Sequence, residues 1–133
     1  MPRLRIIFVC IENSNRSQMA EAFAHIHGAP SVDAFSAGSR PSGRINPRAI
    51  AAMKEVGYDL TSHRSKGLEE FAGQTFDIAV TMGCGDECPY IKAKQHIDWQ
   101  IPDPKNLPED QFRAVRDLIE KRVVELLGAK SSD

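Results

Sequence analysis

A cysteine and an arginine separated by five residues lie near the start of the chain, where Cys10 is followed by Arg16 and then Ser17. Residues 5–9, before the cysteine, are mostly apolar, which predicts a short buried strand. A helix is predicted directly after the loop, and backbone N–H groups at such a junction bind tetrahedral anions. Arg16 adds a planar guanidinium that matches two oxygens of an oxyanion. The segment therefore predicts an anion-binding loop with a cysteine nucleophile.

The loop is also expected to activate the nucleophile, because donors that hold an anion stabilise a thiolate as well. Ser17 could donate its hydroxyl to the sulfur, and Asn13 tolerates unusual backbone angles and could lock the loop. The simpler alternative, a buried strand-end cysteine and a surface arginine, is disfavoured by the adjoining strand, helix and serine. We expect the anion to be contacted by Ile11, Glu12, Asn13, Ser14, Asn15, Arg16 and Ser17.

Two further cysteines, Cys84 and Cys88, lie close together with Asp86 and Glu87 between them. They could be redox groups acting with the first cysteine, ordinary core residues, or zinc ligands together with His96. The polar residues between them disfavour a dry core site. Three ligands at irregular spacing are a weak zinc pattern, so we rank the redox role first.

The elements that must position these groups alternate between strand and helix. Strands are predicted at residues 5–9, 32–37, 76–81 and 95–99. Helices are predicted after the loop, after the capping pair Asn46-Pro47, and after Pro108. Such alternation predicts an α/β fold with a parallel sheet, whose ligands bind at the carboxyl ends of the strands. The two groups that follow the later strands, Cys84 and Asp103, are therefore expected to approach the loop.

Bulk composition limits the classes of function. The chain has 133 residues, 41% of them hydrophobic, and a formal net charge of −1. We expect one catalytic domain over residues 1–133 and no broad basic surface for nucleic acid or an anionic membrane. The apolar run at residues 6–9 is too short for a signal peptide, and no membrane span is predicted. These features favour a cytoplasmic protein with a local anion site.

The loop resembles the signature of the low-molecular-weight protein tyrosine phosphatase superfamily, which has a cysteine, five residues, an arginine and a serine after the first strand. Other segments are similar to its arsenate reductase branch, and the resemblance covers nearly the whole chain. It implies a three-layer sandwich in which helices flank a four-stranded parallel sheet of order 2-1-3-4. The matching segments are residues 18–21, 36–38, 46–50, 53–56, 80–82, 88–89, 99 and 103–104.

The resemblance also implies a reaction, the reduction of arsenate, with phosphate or sulfate as mimics of the substrate. Cys10 would attack arsenic while Arg16 and the loop amides hold the oxygens, and Asp103 would protonate the departing oxygen. Cys84 would displace arsenite and Cys88 would complete a disulfide relay. Thioredoxin or a low-molecular-weight thiol would then reduce the protein. This chemistry requires neither a metal nor an organic cofactor.

The sequence departs from the family pattern in three places. Glu12 stands where the family often has glycine, and Asn15 stands where many members have a second loop cysteine. Some arsenate reductases hold a potassium ion near the loop with an acidic residue after the second helix. That neighbourhood here is His-Arg-Ser-Lys at residues 63–66, so we expect no potassium ion, with the ammonium of Lys66 in its place.

Two rival functions remain open. The first is a phosphatase that hydrolyses phosphate monoesters through a phosphocysteine. It is disfavoured because residues 105–108 contain no aromatic ring to stack on a phenyl group and because Cys84 and Cys88 would be idle. The second is a phosphate-binding module without turnover, which the acidic Glu12 in the loop suggests.

Overall fold

The computed structural model describes residues 3–28, 31–83 and 91–131. Its elements alternate as the sequence predicts, and the strand positions agree to within two residues at each end. Two short 3-10 helices, Leu60–Ser62 and Leu68–Phe71, lie between the second helix and the third strand. In chain order the main elements are β1 (Leu4–Cys10), α1 (Arg16–Gly28), β2 (Val32–Gly38), α2 (Pro47–Glu55), β3 (Phe76–Thr81), β4 (Ala93–Asp98) and α3 (Glu109–Ser131).

The four strands form one parallel sheet of order β2-β1-β3-β4, which confirms the predicted topology. Cys10 at the end of β1 pairs in register with Gly38 at the end of β2. On the other side, Val9 pairs with Thr81 of β3, and Thr81 pairs with Asp98 of β4. The carboxyl ends of all four strands therefore lie at one edge of the sheet.

The central strand β1 is buried on both faces because its alternate residues enter two separate apolar clusters. Ile6 and Phe8 pack with residues of α1, α2 and α3. Ile7 and Val9 pack on the opposite face, where the 3-10 helix Leu68–Phe71 covers the sheet in the described part of the chain. This burial fixes the direction of β1 and therefore the position of the cysteine at its end.

Two local signals set the ends of α2. The side chain of Asn46 accepts a hydrogen bond from the Arg48 amide at 2.9 Å, and Pro47 occupies the first helical position, as predicted. Gly57, just past the helix, has a φ of 86°, a left-handed conformation that favours glycine. No helix within the described ranges is long and apolar enough to cross a lipid bilayer.

Candidate active site

The anion loop runs from the end of β1 to the start of α1 and is packed tightly against β2. Cys10 is 3% exposed, and Asn13 has a φ of 53°, the left-handed conformation that asparagine tolerates. A Cβ atom at Gly38 would lie 2.5 Å from the carbonyl oxygen of Ile11. Only glycine therefore allows this approach, and the loop conformation is held by both its own residues and its neighbouring strand.

A small cavity of about 60 Å³ opens between the loop and the segment after β4. A space of roughly 10–15 Å³ already holds one water molecule, so the cavity has room for a small anion. None of its lining residues in the described part of the chain is aromatic, and it combines most of the predicted loop with two residues from the segment after β4. The lining residues are Cys10, Ile11, Glu12, Ser14, Asn15, Arg16, Asp103 and Lys105.

The sulfur of Cys10 has a directed hydrogen-bond donor. It lies 2.9 Å from the Ser17 hydroxyl oxygen, and that oxygen lies 2.7 Å from the Asn13 side-chain nitrogen. Because the Ser17 oxygen accepts from the Asn13 amide, the hydroxyl proton is free to point at the sulfur. The contact between Cys10 and Ser17 that the sequence predicts is therefore present.

Arg16 is buried, so the alternative of a surface charge is wrong. Its Nη1 atom donates to the carbonyl oxygens of Met82 at 2.7 Å and Ile101 at 3.1 Å. Its Nη2 atom lies 3.9 Å from the carboxylate of Asp103. The guanidinium thus joins the loop to the segments that follow β3 and β4.

Asp103 lies at the mouth of the cavity with an exposed side chain. One of its carboxylate oxygens accepts a hydrogen bond from the Lys105 amide at 3.0 Å, which fixes the turn after β4. The ammonium of Lys105 lies 3.2 Å from the Glu12 carboxylate. The acidic residue that is unexpected in an anion loop is therefore paired with a cation, which the sequence analysis did not identify.

A hydrogen-bond chain leads from the loop away from the cavity. The Gln18 amide nitrogen donates to the Asn13 side chain at 2.8 Å and to the Arg64 carbonyl at 2.9 Å. The Gln18 oxygen therefore accepts from Nδ1 of His63 at 2.9 Å, and the other ring nitrogen accepts from the Tyr58 hydroxyl at 2.6 Å. His63 meets Gln18 across 45 positions of the chain, so the spacing of these residues does not indicate the contact.

The charged side chains beside this chain of hydrogen bonds are largely buried. Burial opposes ionisation of Glu21, but hydrogen bonds from His25 and Ser36 and the charge of Lys66 outweigh it and lower the pKa of the carboxyl. Burial lowers the pKa of His63, and the Glu21 charge opposes that change. Burial also lowers the pKa of Lys66, again against the Glu21 charge.

Lys66 belongs to residues 63–66, where the sequence predicts an ammonium in place of a potassium ion. Its ammonium is 3.2 Å from the Ser36 hydroxyl and 3.6 Å from the Glu21 carboxylate. Possible ligand atoms of Glu21, His25 and His63 also lie within 4.8 Å of one another. However, His63 directs its Nδ1 proton to Gln18, and the ammonium already meets the carboxylate. Both features disfavour a metal cation at this cluster.

Cys84 and Cys88 lie outside the described residues, so their proposed roles and the zinc alternative with His96 stay predictions. Gly83, the residue before Cys84, lies against the anion loop. A Cβ atom at Gly83 would be 3.1 Å from Nη1 of Arg16, and its φ is 82°. The chain therefore leads from the arginine of the loop directly into the segment that carries Cys84.

A cysteine and an arginine in an anion loop, at the carboxyl edge of a parallel sheet, define a class of proteins that react with oxyanions through a thiol. The model of the low molecular weight phosphotyrosine protein phosphatase family matches residues 5–132. The chain belongs to this family, as its sequence predicts.

Three similar proteins illustrate the range of the family. The chain is 40% identical over 127 residues to the glutaredoxin arsenate reductase of a Synechocystis species, covering 93% of this chain and 96% of the relative. A solved arsenate reductase in the phosphate-binding state is 36% identical, with a TM-score of 0.86 and coverage of 95% and 98%. The YwlE arginine phosphatase from Geobacillus stearothermophilus is 28% identical, with a TM-score of 0.82 and coverage of 97% and 94%.

Proposed function

We propose that this chain is an arsenate reductase in which the Cys10 thiolate attacks arsenate bound in the loop. The observation that carries the proposal is the cavity of about 60 Å³ that combines the cysteine, the arginine and the aspartate. Its size, and the lack of an aromatic ring among the lining residues that the structure describes, suit a free tetrahedral oxyanion better than an aryl ester. The arsenate reductases among the similar proteins support the same assignment.

The first step forms a bond between the Cys10 sulfur and arsenic and breaks one arsenic–oxygen bond. Arg16 and the loop N–H groups hold the remaining oxygens and the charge that develops on them. Asp103 gives a proton to the departing oxygen, which leaves as water. Without that proton the leaving group would be hydroxide, which leaves poorly at neutral pH.

In the second step, the Cys84 thiolate attacks the Cys10 sulfur and forms a disulfide. The electron pair of the sulfur–arsenic bond passes to arsenic, which is reduced from the +5 to the +3 state and leaves as arsenite. Cys88 then attacks Cys84, releasing Cys10 as a thiol and leaving a second disulfide. This relay rests on the sequence and on the position of Gly83 beside Arg16.

An external thiol must reduce the final disulfide. Thioredoxin, or glutathione with glutaredoxin, supplies the two electrons that each turnover consumes. We place the protein in the cytoplasm, where such donors are kept reduced. The relative named for glutaredoxin supports the use of a glutathione-linked donor.

The test is NADPH consumption that depends on arsenate, measured with thioredoxin and its reductase and separately with glutathione, glutaredoxin and glutathione reductase. Wild type is compared with Cys10→Ser, Cys84→Ser and Cys88→Ser. We expect turnover in wild type and its loss in all three variants. If turnover survives in Cys88→Ser, an external thiol, and not Cys88, attacks the disulfide between Cys10 and Cys84.

The rival phosphatase function is tested on the same variants. A phosphatase needs the first cysteine alone, so hydrolysis of an aryl phosphate would survive in a double Cys84→Ser, Cys88→Ser variant. If that hydrolysis is fast while no thiol donor supports arsenate reduction, the reductase assignment is wrong. Tight phosphate binding with neither activity would support a binding module instead.

A further inference from the structure

The turn that carries Asp103 is held by an arginine from another element. Arg48, in the first turn of α2, donates from Nη1 to the carbonyl oxygen of Lys105 at 2.9 Å and from Nη2 to the carbonyl oxygen of Leu107. Its guanidinium carbon lies 4.8 Å from the ring centre of Phe112 in α3. One side chain therefore fixes two peptide units of the turn and is itself held over an aromatic ring.

The start of α2 also contacts the anion loop. The backbone N–H of Asn46 donates to the carbonyl oxygen of Ser14 at 3.1 Å, and the Asn46 side chain caps the helix through the amide of Arg48. Residues 46–48 thus form hydrogen bonds to the loop that carries Cys10 and to the turn that carries Asp103. It sets the separation between the two halves of the cavity.

We propose that Arg48 is a positioning residue for the reaction, because it holds the Asp103 carboxylate at the anion loop without touching the substrate. The inference rests on the proposed role of Asp103 as the proton donor. Asp103 has an exposed side chain, and its hydrogen bond from the Lys105 amide moves with the turn. Displacement of a reacting group by about 1 Å can cost roughly 100-fold in rate. Loss of the two Arg48 hydrogen bonds should therefore weaken proton transfer more than anion binding.

A purely structural role for Arg48 makes a different prediction. Arg113 of α3 lies in the same groove between α2 and α3 and binds the Glu55 carboxylate of α2 at 3.0 Å, but it does not contact the turn. Arg113→Met therefore removes a contact between the same two helices and leaves the turn intact. It is the matched control for Arg48→Met.

The experiment is a double-mutant cycle with Asp103→Asn, measured as kcat/KM for arsenate at saturating thiol donor. We expect Asp103→Asn to lower kcat/KM by about 100-fold or more, the usual scale of general acid catalysis. Arg48→Met should lower it by about tenfold in wild type and by less than about twofold in the Asp103→Asn background, since both act on one group. Arg48→Lys, which cannot span two carbonyls, should behave like Arg48→Met.

Two measurements separate positioning from misfolding and do not need turnover. Phosphate binding, followed as protection of Cys10 from alkylation, should change by less than about twofold in Arg48→Met, since the anion loop is intact. Hydrogen–deuterium exchange should become faster at residues 102–107 and stay unchanged at residues 10–17. Arg113→Met should change none of these quantities.

The possible outcomes are distinct. The role of Arg48 would be wrong if the losses of kcat/KM from Arg48→Met and Asp103→Asn multiply in the double variant. It would also be wrong if hydrogen–deuterium exchange at residues 102–107 is the same in Arg48→Met as in Arg113→Met. If Asp103→Asn leaves kcat/KM unchanged, Asp103 is not the proton donor, and the positioning role of Arg48 is wrong as well. If wild type reduces no arsenate, the proposed function fails, and the exchange result alone still decides whether Arg48 holds the turn.

Discussion

The hydroxyl oxygen of Ser17 lies 2.9 Å from the sulfur of Cys10 and accepts a hydrogen bond from Asn13 on its other side. Because this oxygen already accepts from Asn13, the serine can direct its own proton to the sulfur. A hydroxyl held in this way costs little reorganisation when the thiol loses its proton.

Replacing Ser17 with alanine should slow alkylation of Cys10 by iodoacetamide at pH 7 by about tenfold, because one hydrogen bond to a charged group is worth roughly 1.5–3 kcal/mol. The measurement is the second-order alkylation rate of each variant at several pH values. Ser42→Ala, which removes a hydroxyl bonded to the carbonyl of Arg44, is the control. Equal rates in wild type and Ser17→Ala would show that the serine does not stabilise the thiolate.

The pair formed by Glu12 and Lys105 should govern anion affinity through charge. Both side chains are about half exposed, so their interaction is worth at most about 1 kcal/mol. We expect Glu12→Gln to tighten phosphate binding by up to about fivefold, Lys105→Met to weaken it similarly, and the double variant to resemble wild type. Calorimetric titration with phosphate at low and high salt measures this, and the differences should shrink as salt rises.

The ammonium of Lys66 should neutralise the Glu21 carboxylate, so that no bound cation is needed there. Lys66→Met leaves a carboxylate that is 12% exposed without its ammonium, so the free energy of unfolding should fall by about 1–3 kcal/mol. Lys94→Met, which breaks an exposed pair with Asp77, should change stability by less than about 0.5 kcal/mol. Wild type should melt at the same temperature in KCl and NaCl of equal ionic strength. A stabilisation specific to potassium would contradict the assignment.

Protonation of His63 should weaken the fold below neutral pH. Burial lowers the pKa of His63 below the ordinary value of 6.5, so between these two pKa values the unfolded chain binds a proton that the folded chain does not. Stability from this group is complete above 6.5 and is lost as the pH falls towards the lowered pKa.

The check for His63 is urea unfolding at pH 7.5 and pH 5.5, a window that lies above the titration of Glu21. Wild type should lose more stability across this window than His63→Asn, in which the titrating ring is absent. An equal loss in both proteins would show that other groups account for the pH dependence.

Sequence patterns predicted the parts of the site that are local in the chain. Cys10, Arg16 and Ser17 lie within eight residues, and the strand before them and the helix after them are set by short-range signals. The alternation of strands and helices predicted the parallel sheet. These features depend on neighbours in sequence, which a sequence displays directly, whereas the strand order was implied by the family resemblance alone.

The missed residues act through distant partners. Lys105 meets Glu12 across 93 positions, and His63 meets Gln18 across 45. Arg48 donates to the main-chain carbonyl of Lys105 across 57 positions. Every residue has a main-chain carbonyl, so the sequence does not show which residue accepts this hydrogen bond. Nothing in the spacing of these side chains distinguishes them from ordinary surface charges, so only the fold shows that they support the site.

The bonds from Arg16 to the carbonyls of Met82 and Ile101 span 66 and 85 positions of the chain. Contacts of such long range form slowly during folding, because a large loop must close before each one is gained. The arginine therefore reaches its final geometry only after β3 has joined the sheet and the segment following β4 has packed beside the loop. During synthesis, a chain that ends before Ile101 presents the cysteine without this arrangement, so reactivity towards oxyanions should be acquired late, as a property of the completed fold.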